Sequence, residues 1–428
     1  MKIQQKYVTT LCLILVLFCG FITATALAQP KENTIPIRSQ EQVRIKASAG
    51  FVMEAETGQV LYDKKSQHKY YPASCTKILT ALVALETWGD DLSKVLTVSH
   101  DAVYEIDPES SHIALEEGEK ITRKQALYGL MLASANDAAV VIAEDAGGSQ
   151  EGFAKKMNEK AKELGMNHSH FVTPHGLYDK DHYTTAADLG KAMKAAIKNK
   201  TFVKIFSAIK YTIPKTNKSK KRVLWNNHRM VKTKFFHYPG VIGGKSGYIT
   251  KSGFNLVTVC KKNNMTLISV VMHGKTADNM AKDTKKLFDD GYSHYYKRKI
   301  PVDAAMVDMG SFKRIKTTFD KDSLIAIIPT SYKDDAITAD VKLNDHLDLP
   351  VKKGDLIGHI MLKAGNKTIG DQSIYSKQKI TWLDHRLIRI MLPVVVAAIL
   401  VIVLCWLRYR WIASRKSSRR TGRKRKQK

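Results

Sequence analysis

The sequence predicts an α/β (α+β) domain, an antiparallel sheet flanked by helices, followed by a small all-β domain and a C-terminal transmembrane helix. Three observations predict it. A hairpin pattern near the start and three successive strand patterns after Pro239-Gly240 enclose a helical middle, an order that gives an antiparallel sheet with helices packed on it. Beyond Pro301 the chain changes to short β-type runs separated by Asp, Gly and Lys turns. Near the C-terminus, Ile390 to Leu407 is an uncharged run of 18 residues. A chain of 428 residues has room for two or three domains.

The elements follow in order. Ser48–Ala55 and Gln59–Asp63 read as strands joined by a Glu56-Thr57-Gly58 turn. After Tyr71-Pro72-Ala73 a helix runs to about Trp88, its apolar residues Ile78, Leu79, Leu82, Val83 and Leu85 recurring at helical spacing. A helix over roughly Arg123 to Leu132 is interrupted by Ser134-Ala135-Asn136 and resumes from Ala138 to Ala146. Gln150–Leu164 and Thr185–Lys198 are amphipathic helices. Gly243–Thr250, Gly253–Lys261 and Thr266–His273 are strands, and Thr276 to about Tyr296 returns to helix. In the β-type region Ser323–Ile328, Ile337–Val341 and Leu356–Leu362 are the clearest strand runs.

Composition places the chain at a membrane. Residues 1–28 read as a signal peptide: Lys2 and Lys6 precede an apolar run, and Ala26-Leu27-Ala28 offers small residues for cleavage. An uncleaved anchor is the alternative. Residues 29–44 form a polar linker, 45–298 the principal domain and 299–380 the small β-rich domain. The span 388–407 is the transmembrane helix; its 18 uncharged residues extend about 27 Å, enough to cross the hydrocarbon. Residues 408–428 hold eleven Lys/Arg and no acid, a polybasic cytoplasmic tail suited to anionic lipid. The net charge of +29 suggests anionic surroundings. Export argues against nucleic acid and for wall polymers or lipid headgroups. Of five cysteines only Cys75 and Cys260 fall in the exported part, too few for a disulfide framework.

Three short motifs carry the chemistry. Ser74-Cys75-Thr76-Lys77 opens the apolar helix just after a proline. Similar Ser-x-x-Lys spacings at Ser66, Ser207 and Ser376 lack that setting. Spacing i, i+3 puts both side chains on one helix face, where a buried lysine with a lowered pKa can take the serine proton. The Ser74 N–H, at a helix start, has no intrahelical partner and can face an oxyanion. In Ser134-Ala135-Asn136, Ser134 is placed to relay a proton and Asn136 to hold a substrate amide or Lys77. Taken alone, that motif is equally a local turn. Lys-Ser-Gly occurs at 245–247 and at 251–253. The first opens a strand whose edge can bind an extended peptide, with Lys245 near a substrate carboxylate and Gly247 permitting close approach. The combination suits acyl transfer through a serine ester. His168, His170, His175 and His182, with Asp179 and Asp181, raise a zinc reading, but no helical His pair with a glutamate accompanies them.

In motif order and exported setting the chain resembles the low-molecular-mass penicillin-binding proteins, the serine-type D-Ala-D-Ala carboxypeptidases. Further stretches are similar: Pro72-Ala73-Ser74, Asn167 through Pro174-His175-Gly176-Leu177 to His182-Tyr183-Thr184-Thr185-Ala186-Ala187-Asp188, and Asn226-Asn227. Gly253-Phe254-Asn255-Leu256 follows the family's third motif and fixes it as Lys245-Ser246-Gly247. The resemblance implies the penicillin-binding/β-lactamase-like transpeptidase fold. It makes Ser74 the acylated nucleophile, Lys77 its base, and Ser134 with Lys245 a proton-shuttle and charge-stabilising pair. Asn136 is the second-motif asparagine, Ser246 stands where threonine is usual, and the Tyr248 N–H joins that of Ser74 in an oxyanion hole. In some relatives an arginine on the helix after the third strand helps hold the substrate carboxylate. Met280 stands at the comparable position here, with Lys282 or Lys275 as substitutes. No cofactor is implied. The implied substrates are peptidoglycan stem peptides ending in D-Ala-D-Ala, with β-lactams as inhibitors. The alternatives are a transpeptidase or endopeptidase with the same site, or a catalytically inactive wall-binding protein.

Overall fold

The computed structural model describes Arg38 and residues 41–232, 234–301, 307–308, 323–344, 350–379, 381 and 386–424. The predicted signal peptide and most of the predicted linker, Cys12 and Cys19 among them, lie outside the described residues.

The first hairpin is β1 (Ala49–Glu54) and β2 (Val60–Lys64). Helix Lys77–Trp88 follows, preceded by a 3₁₀ turn at Ala73–Thr76. The helical middle carries two small ribbons, β3 (Val95–Thr97) with β4 (Lys120–Thr122) and β5 (Lys210–Ile213) with β6 (Arg222–Trp225). Its principal helices are Arg123–Tyr128, Asn136–Gly147, Gln150–Glu163 and Ala186–Ala196. Then come β7 (Val241–Ile249), β8 (Gly253–Lys262), β9 (Met265–Gly274) and helix Ala277–His294. The β-rich region contains β10 (Tyr295–Pro301), β11 (Val307–Asp308), β12 (Ser323–Pro329), β13 (Ile337–Leu343), β14 (Leu356–Ala364) and β15 (Lys367–Tyr375). Helix Arg386–Lys424 ends the described chain; its Ile390–Trp411 portion is long and apolar enough to cross a membrane.

The principal sheet runs β2-β1-β9-β8-β7 and is antiparallel throughout. Both faces are buried, so the strands read as nearly continuous apolar runs yet sort by period two. Val257 and Val259 of β8 and Ile268 and Val270 of β9 face the helical middle. Leu256, Cys260, Leu267 and Val271 face helix Ala277–His294, whose Leu287 and Phe288 complete that second core. The β-rich region has a core of its own from Leu324, Ile328, Val341, Ile360 and Ile374.

The helix predicted to reach Tyr296 ends at His294, and Tyr295 starts β10, pairing with Pro329 of β12. Tyrosine suits a strand, and the β12 partner decides between two local options. The apolar helix extends past the predicted span, to Lys424. Neither small ribbon has a counterpart in the sequence reading.

Two close approaches position the site. On edge strand β7, Gly247 lies so near the 3₁₀ turn that a Cβ there would sit 2.8 Å from the Pro72 carbonyl oxygen and 2.9 Å from the Ser74 nitrogen. Gly176, at φ +84°, would place a Cβ 2.1 Å from the Ala73 oxygen. Asn255 of β8 tightens the same junction: its Nδ2 donates to the Tyr71 and Pro72 carbonyls at 3.0 and 3.1 Å, and its Oδ1 accepts from His273 N at 3.0 Å. The turn is thus bolted to the sheet by side-chain bonds and by the absence of a methyl group. Gly247→Ala is expected to lower unfolding free energy by ~1–3 kcal/mol through overpacking. Urea unfolding checks this, and a variant as stable as the parent would contradict the contact.

Candidate active site

Ser74 does not sit in the α-helix that the spacing predicts. It lies in the 3₁₀ turn, and the α-helix begins at Lys77. The preceding Ala73 has φ +49°, a left-handed conformation that costs a non-glycine residue about 1 kcal/mol or more. The bend aims Ser74 out of the turn while Lys77, one turn on, stays fully buried. The Lys77 Nζ lies 2.9 Å from Ser74 Oγ and donates to Asn136 Oδ1 at 2.5 Å and to the His175 carbonyl at 3.0 Å, so that in the neutral amine the lone pair is left to accept the Ser74 hydroxyl.

The 134–136 turn is equally specific. The helix from Arg123 widens into a π-turn at Gly129–Ala133, and Ser134 caps it at φ 61°, ψ 30°. Ser134 Oγ accepts from Lys245 Nζ at 2.9 Å. Lys245, 2 % exposed, also donates to the Ser246 carbonyl at 2.8 Å. Asn136 donates through Nδ2 to Ser110 Oγ at 2.9 Å, so its orientation is fixed from both sides. Ser74, Ser134, Ser246, Gly247 and Tyr248 all line one cleft of about 250 Å³. Tyr248 stacks on Phe254 of the neighbouring strand, ring centroids 4.3 Å apart.

Burial decides the charge states. It holds the Lys77 amine well below the usual lysine range, and the positive charge of Lys245 lowers it further. Burial lowers Lys245 to about 8. Burial also pushes the Cys75 thiol up to about 12, which makes it a packed, unreactive neighbour.

The histidine-rich stretch serves backbone geometry. His182 Nδ1 accepts from the Val172 and Thr173 amides at 3.1 and 3.3 Å, so Nε2 carries the proton and donates to Thr76 Oγ1 at 2.9 Å. His175 Nδ1 accepts from Leu177 N at 3.1 Å. Burial lowers His182 to about 4 and His175 to about 3, keeping both neutral. This loop carries the carbonyl that holds Lys77.

The sequence reading missed several site residues. Asp137, 2 % exposed, accepts from the amides of Ile113 and Leu115 at 3.0 Å each and holds the loop bearing Ser110 against Asn136. Its position directly after the second motif was the available signal. Asn227 N donates to the Leu132 carbonyl at 3.0 Å, joining the turn to the segment that carries Arg229 into the cleft. Met280 is buried and lends an apolar wall, whereas Lys275 and Lys282, the predicted substitutes, do not line the cleft. No local pattern marks Arg229.

Known proteins resemble this chain over most of its length. Residues 36–276 match the family model described as D-alanyl-D-alanine carboxypeptidase, and residues 283–381 match that described as penicillin-binding protein 5, C-terminal domain. The chain is 33% identical over 338 residues to D-alanyl-D-alanine carboxypeptidase DacF of Bacillus subtilis, covering 78% of this chain and 85% of the relative. Against DacA of Escherichia coli K12 the identity is 28% over 354 residues, covering 79% and 84%. The structure of penicillin binding protein 5 from Haemophilus influenzae superposes with a TM-score of 0.63 at 25% identity, covering 79% of this chain and 98% of that one. The Streptomyces K15 DD-transpeptidase superposes at 0.55 with 30% identity, covering 58% and 98%. With a motif-bearing cleft between helices and an antiparallel sheet, and a matching model across more than half its length, the chain belongs to the D-alanyl-D-alanine carboxypeptidase family.

Proposed function

We propose that this protein is a membrane-anchored serine D,D-carboxypeptidase that removes the terminal D-alanine from peptidoglycan stem pentapeptides through an ester on Ser74. The observation that carries the reading is the 2.9 Å bond between the buried Lys77 amine and Ser74 Oγ. Neutral Lys77 takes the hydroxyl proton as Oγ bonds to the carbonyl carbon between the two D-alanines. The oxyanion faces the N–H groups of Ser74 and Tyr248. As the C–N bond breaks, the leaving amine takes a proton delivered through Ser134 or Lys77, and D-alanine departs. Water, deprotonated by the same base, attacks the ester and restores the hydroxyl. Lys245 keeps positive charge beside Ser134, and the open edge of β7 pairs the substrate backbone as an added strand, with the hydroxyl of Ser246 in the cleft. Asn136 fixes Lys77 and stands beside the substrate amide. β-Lactams acylate the same oxygen.

Ile390–Trp411 anchors the catalytic domain outside the membrane, and the basic tail lies on the cytoplasmic side against anionic lipid. The principal domain spans 45–298 and the small β-rich domain 299–380, the latter serving as a pedestal. The family assignment and the excess of positive charge over the exported part support this setting.

Two outcomes test the reading. Ser74→Ala abolishes covalent labelling by a fluorescent penicillin, and Lys77→Ala slows acylation by ~10²–10⁴-fold; full labelling of Ser74→Ala refutes the nucleophile. In the parent the acylation rate rises with pH as Lys77 loses its proton, then falls as Lys245 is neutralised near about 8. A stopped-flow pH profile still climbing well above that value contradicts the division of charge between the two lysines.

A further inference from the structure

A peptide cut next to its C-terminus brings a carboxylate into the cleft, and that anion needs a cation there. Neither motif lysine suits the task. Lys77 is fully buried and committed to Ser74, Asn136 and the His175 carbonyl, and Lys245 is 2 % exposed and committed to Ser134 and its own strand. Among the described residues, Arg229 is the one charged side chain that lines the cleft.

Arg229 is well placed. It opens the short helix Arg229–Lys232, two residues after Asn227, whose amide is tied to the turn that carries Ser134. Its guanidinium pairs with Asp278 at the head of helix Ala277–His294 and lies over the Phe236 ring, 5.7 Å from the centroid. Both partners of the ion pair are about half exposed, and such pairs contribute little on their own. A guanidinium presents five donors in one plane, so it serves a second carboxylate without leaving the first. In the same cleft Met280 and Phe254 give apolar walls and Ser246 a hydroxyl.

We infer that Arg229, oriented by Asp278 and Phe236, is the specificity-determining residue that binds the terminal carboxylate of the substrate. The inference rests on the carboxypeptidase reading above. The cation therefore comes from the segment between β6 and β7, and helix Ala277–His294 contributes the counter-charge that aims it and the apolar wall at Met280.

The test uses the full-length protein in detergent, with a pentapeptide ending in D-Ala-D-Ala and the same peptide as its C-terminal amide. Release of D-alanine or D-alanine amide is measured by chromatography. Arg229→Met is expected to lose on the order of 10–100-fold in kcat/KM on the free acid, mainly through KM, with little change on the amide. Arg229→Lys recovers part of the loss, and Ser74→Ala turns over neither peptide. Equal loss on both peptides by Arg229→Met, or loss on neither, overturns the inference while leaving the enzyme reading intact. Parent protein that releases nothing from either peptide overturns the enzyme reading and this inference with it.

Discussion

A lysine amine buried without a carboxylate partner is the constraint on which the rest depends. Burying an ammonium is costly, so burial holds this amine well below the usual lysine range. Three oxygens surround the Lys77 Nζ: a hydroxyl one turn away and, from distant parts of the chain, the amide oxygen of Asn136 and the carbonyl of His175. Each comes from a segment whose own geometry is fixed independently. The 3₁₀ turn is held by Asn255 and by the close approach of Gly247. The second-motif turn is held by its π-turn and by Ser110. The loop carrying His175 is held by His182 and Thr76.

That arrangement explains why the fold is built as it is. The sheet supplies a rigid edge in β7, and the helical middle supplies the opposite wall. The two pack through a shared apolar core, and polar side chains reach across at the cleft. Lys245 bridges from strand to turn, and Asn255 from the adjacent strand to the head of the Ser74 turn. Two of the non-glycine residues with positive φ, Ala73 and Ser134, lie at this place. Strain of this kind persists only where the surroundings over-determine it. Lys77 and Lys245 are both buried, and the positive charge of Lys245 lowers Lys77 further, because low dielectric resists charging both.

Much of this was legible in the sequence, for physical reasons. The strands of the principal sheet carry continuous apolar runs flanked by turn residues, and all five were placed within a few residues of their observed limits. The three motifs were readable because each sits at an element boundary, and they converge on one cleft. What stayed hidden depends on tertiary contact. The 3₁₀ character of the Ser74 turn follows from Gly176 and Gly247 pressing on it, not from local propensity. Tyr295 was read as helix because only pairing with β12 makes it strand. Arg229 looked like one more cation in a highly basic chain, and its place in the cleft comes from the path between β6 and β7. The histidine-rich stretch raised a zinc reading that its spacing did not support; in the structure the rings of His182 and His175 accept backbone amides of their own loop.

The most direct measurement of the central claim is to trap the covalent species. The parent protein is mixed with pentapeptide, quenched in acid on the millisecond scale, digested and mapped by mass spectrometry. The account predicts a peptidyl ester, lacking the terminal D-alanine, on the fragment that contains Ser74. Release of D-alanine with no adduct at any time, or with the adduct on another residue, would contradict it.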